Sequence, residues 1–165
     1  MQVFLAEHSG FCFGVRRAVK MAMEALNSGG EVCTYGELIH NPQIVQKLEQ
    51  EGISVCYDIK NLKDKKVVIR SHGIAREDLE ILKANGNIII DATCPYVKRA
   101  QELVSSVKEL PILIMGDPDH PEVQALLSYG GKQTRIIKPG EKPESQMWET
   151  LCIVSQTTQK LSNLQ

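Results

Sequence analysis

Cysteine and histidine supply most of the reactive chemistry in this chain, and their placement follows a rule. The 165 residues include five cysteines and four histidines. Every candidate reactive residue lies just past the C-terminal end of an apolar run that reads as a strand. After VFLA come His8 and, in SGFCFG, Cys12; after EVCTYGEL comes His40; after VVIR comes His72. After IIID comes Cys94, after ILIMGD comes His120, and after CIVS come Thr157 and Thr158. In α/β sheets the carboxyl ends of the strands form the edge where ligands bind. Scattered core or surface residues would have no reason to share that position.

The local surroundings fit a site. Gly10 and Gly14 bracket Cys12 and permit close backbone approach. Pro95 follows Cys94, and proline also follows a ligand cysteine in some ferredoxin cluster motifs. His40 and Asn41 precede a helix start, as does His120. Helix N-termini present free N–H groups and a positive dipole end, which suits phosphate. Imidazoles can add charge-assisted hydrogen bonds to such an anion.

Other readings remain open at this point. Taken singly, a loop histidine is more often a surface or capping residue than a ligand. His8 suits a hydrogen-bonded structural role. Cys33, Cys56 and Cys152 lie inside apolar strands and read as buried structural thiols. An odd cysteine count argues against a disulfide framework, and without a CxxC pair a zinc ribbon or thioredoxin-like site is disfavoured. Three histidines with Glu122 could ligate zinc or iron for metal-assisted hydrolysis, although none has the close helical spacing of HExxH sites. A non-catalytic diphosphate-binding module is the third class.

These residues need a scaffold that aligns strand ends. Val15, Ala18, Val19, Ala22, Met23 and Leu26 recur at helical spacing before Gly29–Gly30. Strands are expected over Val3–Ala6, Glu31–Leu38, Ile53–Tyr57, Val67–Ile69, Asn87–Ile90, Ile112–Met115, Arg135–Ile137 and Leu151–Val154. Helices are expected after Asn41–Pro42, over Ala75–Asn85, after Pro95 and over Pro121–Ser128. The alternation implies an α/β fold with mostly parallel sheets. IIID and LIMG are apolar throughout, as in strands covered on both faces.

Composition excludes some classes. Apolar residues make up 42%, charged residues 24%, and net charge is −1. That balance gives no reason to expect nucleic acid, whose backbone needs a basic surface. No apolar run is long enough to cross a bilayer. MQVFLAEHSGFCFG carries Glu7 and His8 and lacks a basic leader, so a cytoplasmic protein is expected.

The series GFCFGVRRAV, ELIHNPQIV, RSHGI, DATCPYV, HPEV and VSQTT resembles the LytB/IspH reductases in order and approximate spacing. The likeness covers almost the whole chain, and GFCFGV and DATCP are its most specific parts. It implies two of three similar α/β lobes around a 4Fe-4S cluster: a first strand and cluster loop over 1–13, one lobe over 14–94, and an incomplete one over 95–165. It implies Cys12 and Cys94 as cluster ligands, with the third cysteine beyond this chain. It implies that His40, His72 and His120 surround a substrate diphosphate, that Glu122 relays a proton, and that Thr157 hydrogen-bonds near the leaving hydroxyl. The implied activity is reductive dehydroxylation of 4-hydroxy-3-methylbut-2-enyl diphosphate, with electrons from a ferredoxin- or flavodoxin-type donor. An incomplete fragment is expected to be inactive alone.

Overall fold

The computed structural model describes residues 2–4, 7, 9–142, 148–160 and 162. Its elements run α1 Phe13–Asn27, β1 Val32–Tyr35, α2 Pro42–Glu51, β2 Ile53–Cys56, a 3-10 turn Ile59–Asn61, β3 Lys66–Ile69, α3 Arg76–Ala84 and β4 Ile88–Asp91. They continue with α4 Pro95–Ser106, β5 Ile112–Met115, α5 Pro121–Tyr129, β6 Thr134–Ile137 and β7 Cys152–Ser155. The fold is α/β, with two sheets of parallel strands flanked by helices. The first has strand order β2-β1-β3-β4, the second β6-β5-β7.

Burial explains the elements. In α1 the inward positions are Gly14, Ala18, Ala22 and Ala25, so only small side chains separate the helix from the sheet. Together with Val32, Leu48, Ile53 and Val68 the alanines form one core on one face of the four-stranded sheet. The opposite face packs Cys33, Val67 and Ile69 under Leu62, Ile74 and Leu82. A third core joins Val104 of α4, Ile112 and Ile114 of β5, Val123 and Leu126 of α5, and Val154 of β7. Each such side chain, fully buried, contributes roughly 1.5–3 kcal/mol. β5 is central and buried at all four positions, as its apolar sequence implied.

Several expectations need correction. IIID is covered on both faces only in part: Ile89 and Ile90 pack half-buried against opposite cores, but β4 is an edge strand and Ile88 is 62% exposed. Composition alone does not tell an edge strand from a central one. Cys56 and Cys152 are half-buried rather than buried, because β2 and β7 also lie at sheet edges. Val3 and Phe4 have no regular structure and are exposed, so the expected first strand is absent where it can be seen; no described strand pairs with them. Leu5, Ala6 and His8 lie outside the described residues.

Parallel order creates two crevices. β1 leads through α2 to β2 on one side, while β3 leads through α3 to β4 on the other. The loops leaving β1 and β3 therefore part company, and such switch points are where ligands bind in open α/β sheets. In the second sheet β5 leads to β6, with β7 on the opposite side, so the loops leaving β5 and β7 flank another.

Candidate active site

Both crevices hold candidate residues. His40 follows β1. It is anchored by buried Leu38 and Ile39 before it, and by Asn41 after it, whose Oδ1 caps α2 by accepting from the Ile44 N–H at 3.1 Å. His72 sits in the turn after β3. The Ser71 N–H donates to the Leu38 carbonyl at 3.1 Å, and the Ser71 carbonyl accepts from the Cys94 N–H at 2.9 Å. Three successive strand-end loops are thus stitched together past the end of the sheet.

His120 arrives from the second sheet as the N-cap of α5. Its Nδ1 accepts from the Glu122 N–H at 3.1 Å, and Pro121 takes the first helical position, where no N–H is needed. The ring centroids lie 4.3 Å apart for His40 and His72, 5.8 Å for His40 and His120, and 5.4 Å for His72 and His120. One nitrogen from each ring falls within 4.8 Å of those of the other two.

Electrostatics follow from this crowding. Burial, then neighbouring His40, His120 and Arg70, push His72 down to about 4. His72 is therefore uncharged at neutral pH, and its buried Nδ1 has no hydrogen-bond partner. Burial also lowers His120, while the nearby Glu122 charge works against the shift. A backbone N–H can only donate, so the His120 Nδ1 must be its acceptor. A neutral His120 then carries its proton on Nε2, as a donor. That tautomer favours an anion in the pocket over a metal ion, which would need a bare Nε2.

Glu122 is 1% exposed. Its Oε1 accepts from the Thr157 N–H at 2.6 Å and its Oε2 from the Thr157 hydroxyl at 2.9 Å. A buried carboxylate needs such donors, and here they come from the loop after β7. Gln156 was not singled out by sequence, although it is 5% exposed and ties the same loops together. Its Oε1 accepts from the Asp117 N–H at 3.1 Å, and its Nε2 donates to Thr158 Oγ1 at 2.9 Å. Its only signal was a polar residue closing the run CIVS. Arg70, at the end of VVIR, was passed over in the same way.

The two cysteines occupy matching places. Cys12 is the N-cap of α1 and Cys94 the N-cap of α4, and neither side chain makes a capping hydrogen bond. Cys12 is exposed and Cys94 half-buried. The Cys94 sulfur lies against Gly14, two residues beyond Cys12. A Cβ at Gly14 would meet it at 2.7 Å, so only glycine leaves room. Arg17 donates to the Thr93 carbonyl at 3.1 Å, a second tie between α1 and the Cys94 loop. Both sulfurs stand at positive helix ends, which favour negative charge. By contrast, the Cys33 sulfur approaches the Lys66 carbonyl on neighbouring β3, and the Cys56 sulfur the Asp58 carbonyl two residues on.

Comparison with known proteins identifies the family. The chain is 44% identical over 167 residues to a 4-hydroxy-3-methylbut-2-enyl diphosphate reductase of Geotalea uraniireducens, covering 99% of this chain and 59% of the relative. The namesake from Pelobacter propionicus is 41% identical, with 99% and 60% covered. A solved structure of (E)-4-hydroxy-3-methyl-but-2-enyl diphosphate reductase superposes with a TM-score of 0.82 at 39% identity, covering 98% of this chain and 60% of that one. The E-1-hydroxy-2-methyl-but-2-enyl-4-diphosphate reductase of Plasmodium falciparum superposes at 0.85 with 28% identity, covering 96% and 52%. The chain thus spans about 60% of the length of the curated relatives it matches. The LytB protein family matches residues 3–165, and the chain belongs to that family.

Proposed function

We propose that this chain is the greater part of a reductase that converts 4-hydroxy-3-methylbut-2-enyl diphosphate to isopentenyl and dimethylallyl diphosphate in the cytoplasm. The observation that carries the reading is the convergence of three imidazoles from both sheets, next to buried Glu122 and its hydrogen bond from Thr157. In net terms the C–O bond breaks, a C–H bond forms, and two electrons and two protons are consumed as water leaves.

The chain's residues divide the work. His40, His72 and the Nε2–H of His120 hold the diphosphate. The anion raises the proton affinity of His72, so binding turns that neutral ring into a charged donor. Thr157 holds Glu122 in place through two hydrogen bonds. When Glu122 carries a proton, rotation of the Thr157 hydroxyl lets it accept that proton while passing its own to the departing oxygen.

The donor set at the cysteine side fits an iron–sulfur group, since two thiols stand uncapped at helix N-termini with a glycine-sized gap beside one of them. Cys12 and Cys94 would hold a 4Fe-4S cluster, and a third thiolate would come from outside these residues. When bound, that group supplies the electrons and a Lewis-acidic iron that weakens the C–O bond. The electron donor would be a ferredoxin- or flavodoxin-type protein.

Anaerobic reconstitution tests the reading. Iron should be taken up with acid-labile sulfide and lost in Cys12→Ser and Cys94→Ser, and inorganic pyrophosphate should bind. Zinc uptake alone, or pyrophosphate binding with no iron and indifference to Cys12→Ser, overturns it.

A further inference from the structure

Arg70 follows directly on β3, two residues before His72, and its guanidinium lies against Gly36 at the end of β1. Its Nε donates to the carbonyl of Gly73 at 3.1 Å, while its own carbonyl accepts from the Gly73 N–H at 3.0 Å. The side chain thereby closes a short ring around the turn that carries His72. Gly73 is at φ +74°, a left-handed conformation that a side chain would strain. The turn is therefore held from both ends.

The guanidinium fits because the facing residue on the β1 side has no side chain. A Cβ at Gly36 would come within 3.1 Å of an Arg70 terminal nitrogen. Arg70 also borders a cleft of about 130 Å³ with Tyr35, Gly36, Tyr57 and Asp78. Asp78, the acid facing it there, accepts a hydrogen bond from the Tyr35 hydroxyl at 3.2 Å. Arg70 takes part in none of the ion pairs among the described residues. Half-buried, its charge is felt at both His72 and His120, which it helps to hold down.

A half-buried guanidinium without a paired carboxylate, whose charge reaches the lowered His72 and His120, is poised for an anion. Its charge is permanent, unlike theirs. We infer that Arg70 is a positioning residue of the diphosphate pocket: its Nε clamps the 70–73 turn that presents His72, and its fixed charge supplies long-range attraction for the diphosphate. The inference rests on the reading of the three histidines as a diphosphate pocket and adds to it a residue that does not touch the ligand.

Calorimetric titration of inorganic pyrophosphate into this chain tests it, with Arg70→Gln and Arg70→Lys beside the parent at two ionic strengths. Arg70→Gln removes charge and clamp, and should weaken binding about tenfold or more and flatten its salt dependence. Arg70→Lys keeps the charge without the planar clamp. It should retain the parent's salt dependence while binding a few-fold more weakly. Circular dichroism and urea midpoints establish that each variant is folded, and Arg70→Lys serves if Arg70→Gln does not fold. Parental affinity in a folded Arg70→Gln overturns the inference. So does a salt dependence in Arg70→Lys as flat as in Arg70→Gln, or parental affinity in Arg70→Lys, which removes the clamp. If the parent does not bind pyrophosphate, the pocket reading itself has failed.

Discussion

The imidazole side and the cysteine side of the molecule are made from the same part, a loop at the end of a parallel strand or the start of a helix, but differ in surroundings. Around Glu122 the polar groups are buried and answered by donors from another strand's loop. Around Cys12 the thiol is exposed, and Phe11, Phe13 and Tyr96 nearby in sequence to the two cysteines show apolar surface to water. Monomeric proteins rarely leave large apolar patches uncovered. The pocket side is specified by contacts within this chain. The cysteine side is specified within it where Gly14 meets Cys94 and where Arg17 reaches the Thr93 carbonyl.

The difference breaks most readily at Thr157. Thr157→Val removes the hydroxyl that answers Glu122 Oε2 and leaves a buried carboxylate oxygen without its donor. A loss of about 3 kcal/mol is expected, the upper end for a hydrogen bond to a charged group, read as a lower urea midpoint. Thr157→Ser restores the hydroxyl and should recover most of it. If valine and serine behave alike, the pair does not hold the two loops together.

On the cysteine side the sharpest contact is steric. Gly14→Val places a side chain where the Cys94 sulfur lies 2.7 Å away. Overpacking of this kind costs about 1–3 kcal/mol. The displaced thiol should also alkylate faster. Cys94→Ala makes room, so the double variant should regain part of the loss, a coupling that a double-mutant cycle reads directly. Strictly additive losses would mean that α1 and the Cys94 loop do not touch as described.

The sequence was informative about what is local and silent about what is not. Periodicity located α1 and α4, and Pro95 and Pro121 marked helix starts, because those signals lie within a few residues of each other. The strand-end rule found His40, His72 and His120 because parallel strands deliver their loops to one edge whatever their order. It could not show that β1 and β3 are neighbours whose loops diverge, since strand order depends on contacts tens of residues apart. For the same reason IIID and ILIM look alike in sequence, yet one is an edge strand and the other central. Arg70 and Gln156 were overlooked because a polar residue closing a strand is common. What sets them apart is a glycine opposite, Gly36 for one and Gly116 for the other, where a Cβ would lie 2.8 Å from Gln156 Oε1.

The smallest expected effect distinguishes the two sides by pH. His72 is held at about 4 in the folded chain, against about 6.5 for a free histidine. Between those values the unfolded chain binds the extra proton and the folded one does not, so stability from this group is complete above about pH 6.5 and falls as pH drops toward 4. Because the ring is only partly buried and water screens the charges around it, the amount is on the order of 1 kcal/mol. His72→Asn should therefore show a shallower loss of urea midpoint between pH 7 and pH 5 than the parent, whereas Cys12→Ser should leave the slope unchanged. Pyrophosphate reverses the sign of the argument. An anion among the imidazoles stabilises their protonated forms, so with ligand present the parent's acid loss should shrink and proton uptake should appear on binding near pH 6. A parent slope equal to that of His72→Asn, with or without pyrophosphate, would mean that His72 is already solvated and that the pocket is not the low-dielectric cluster its burial implies.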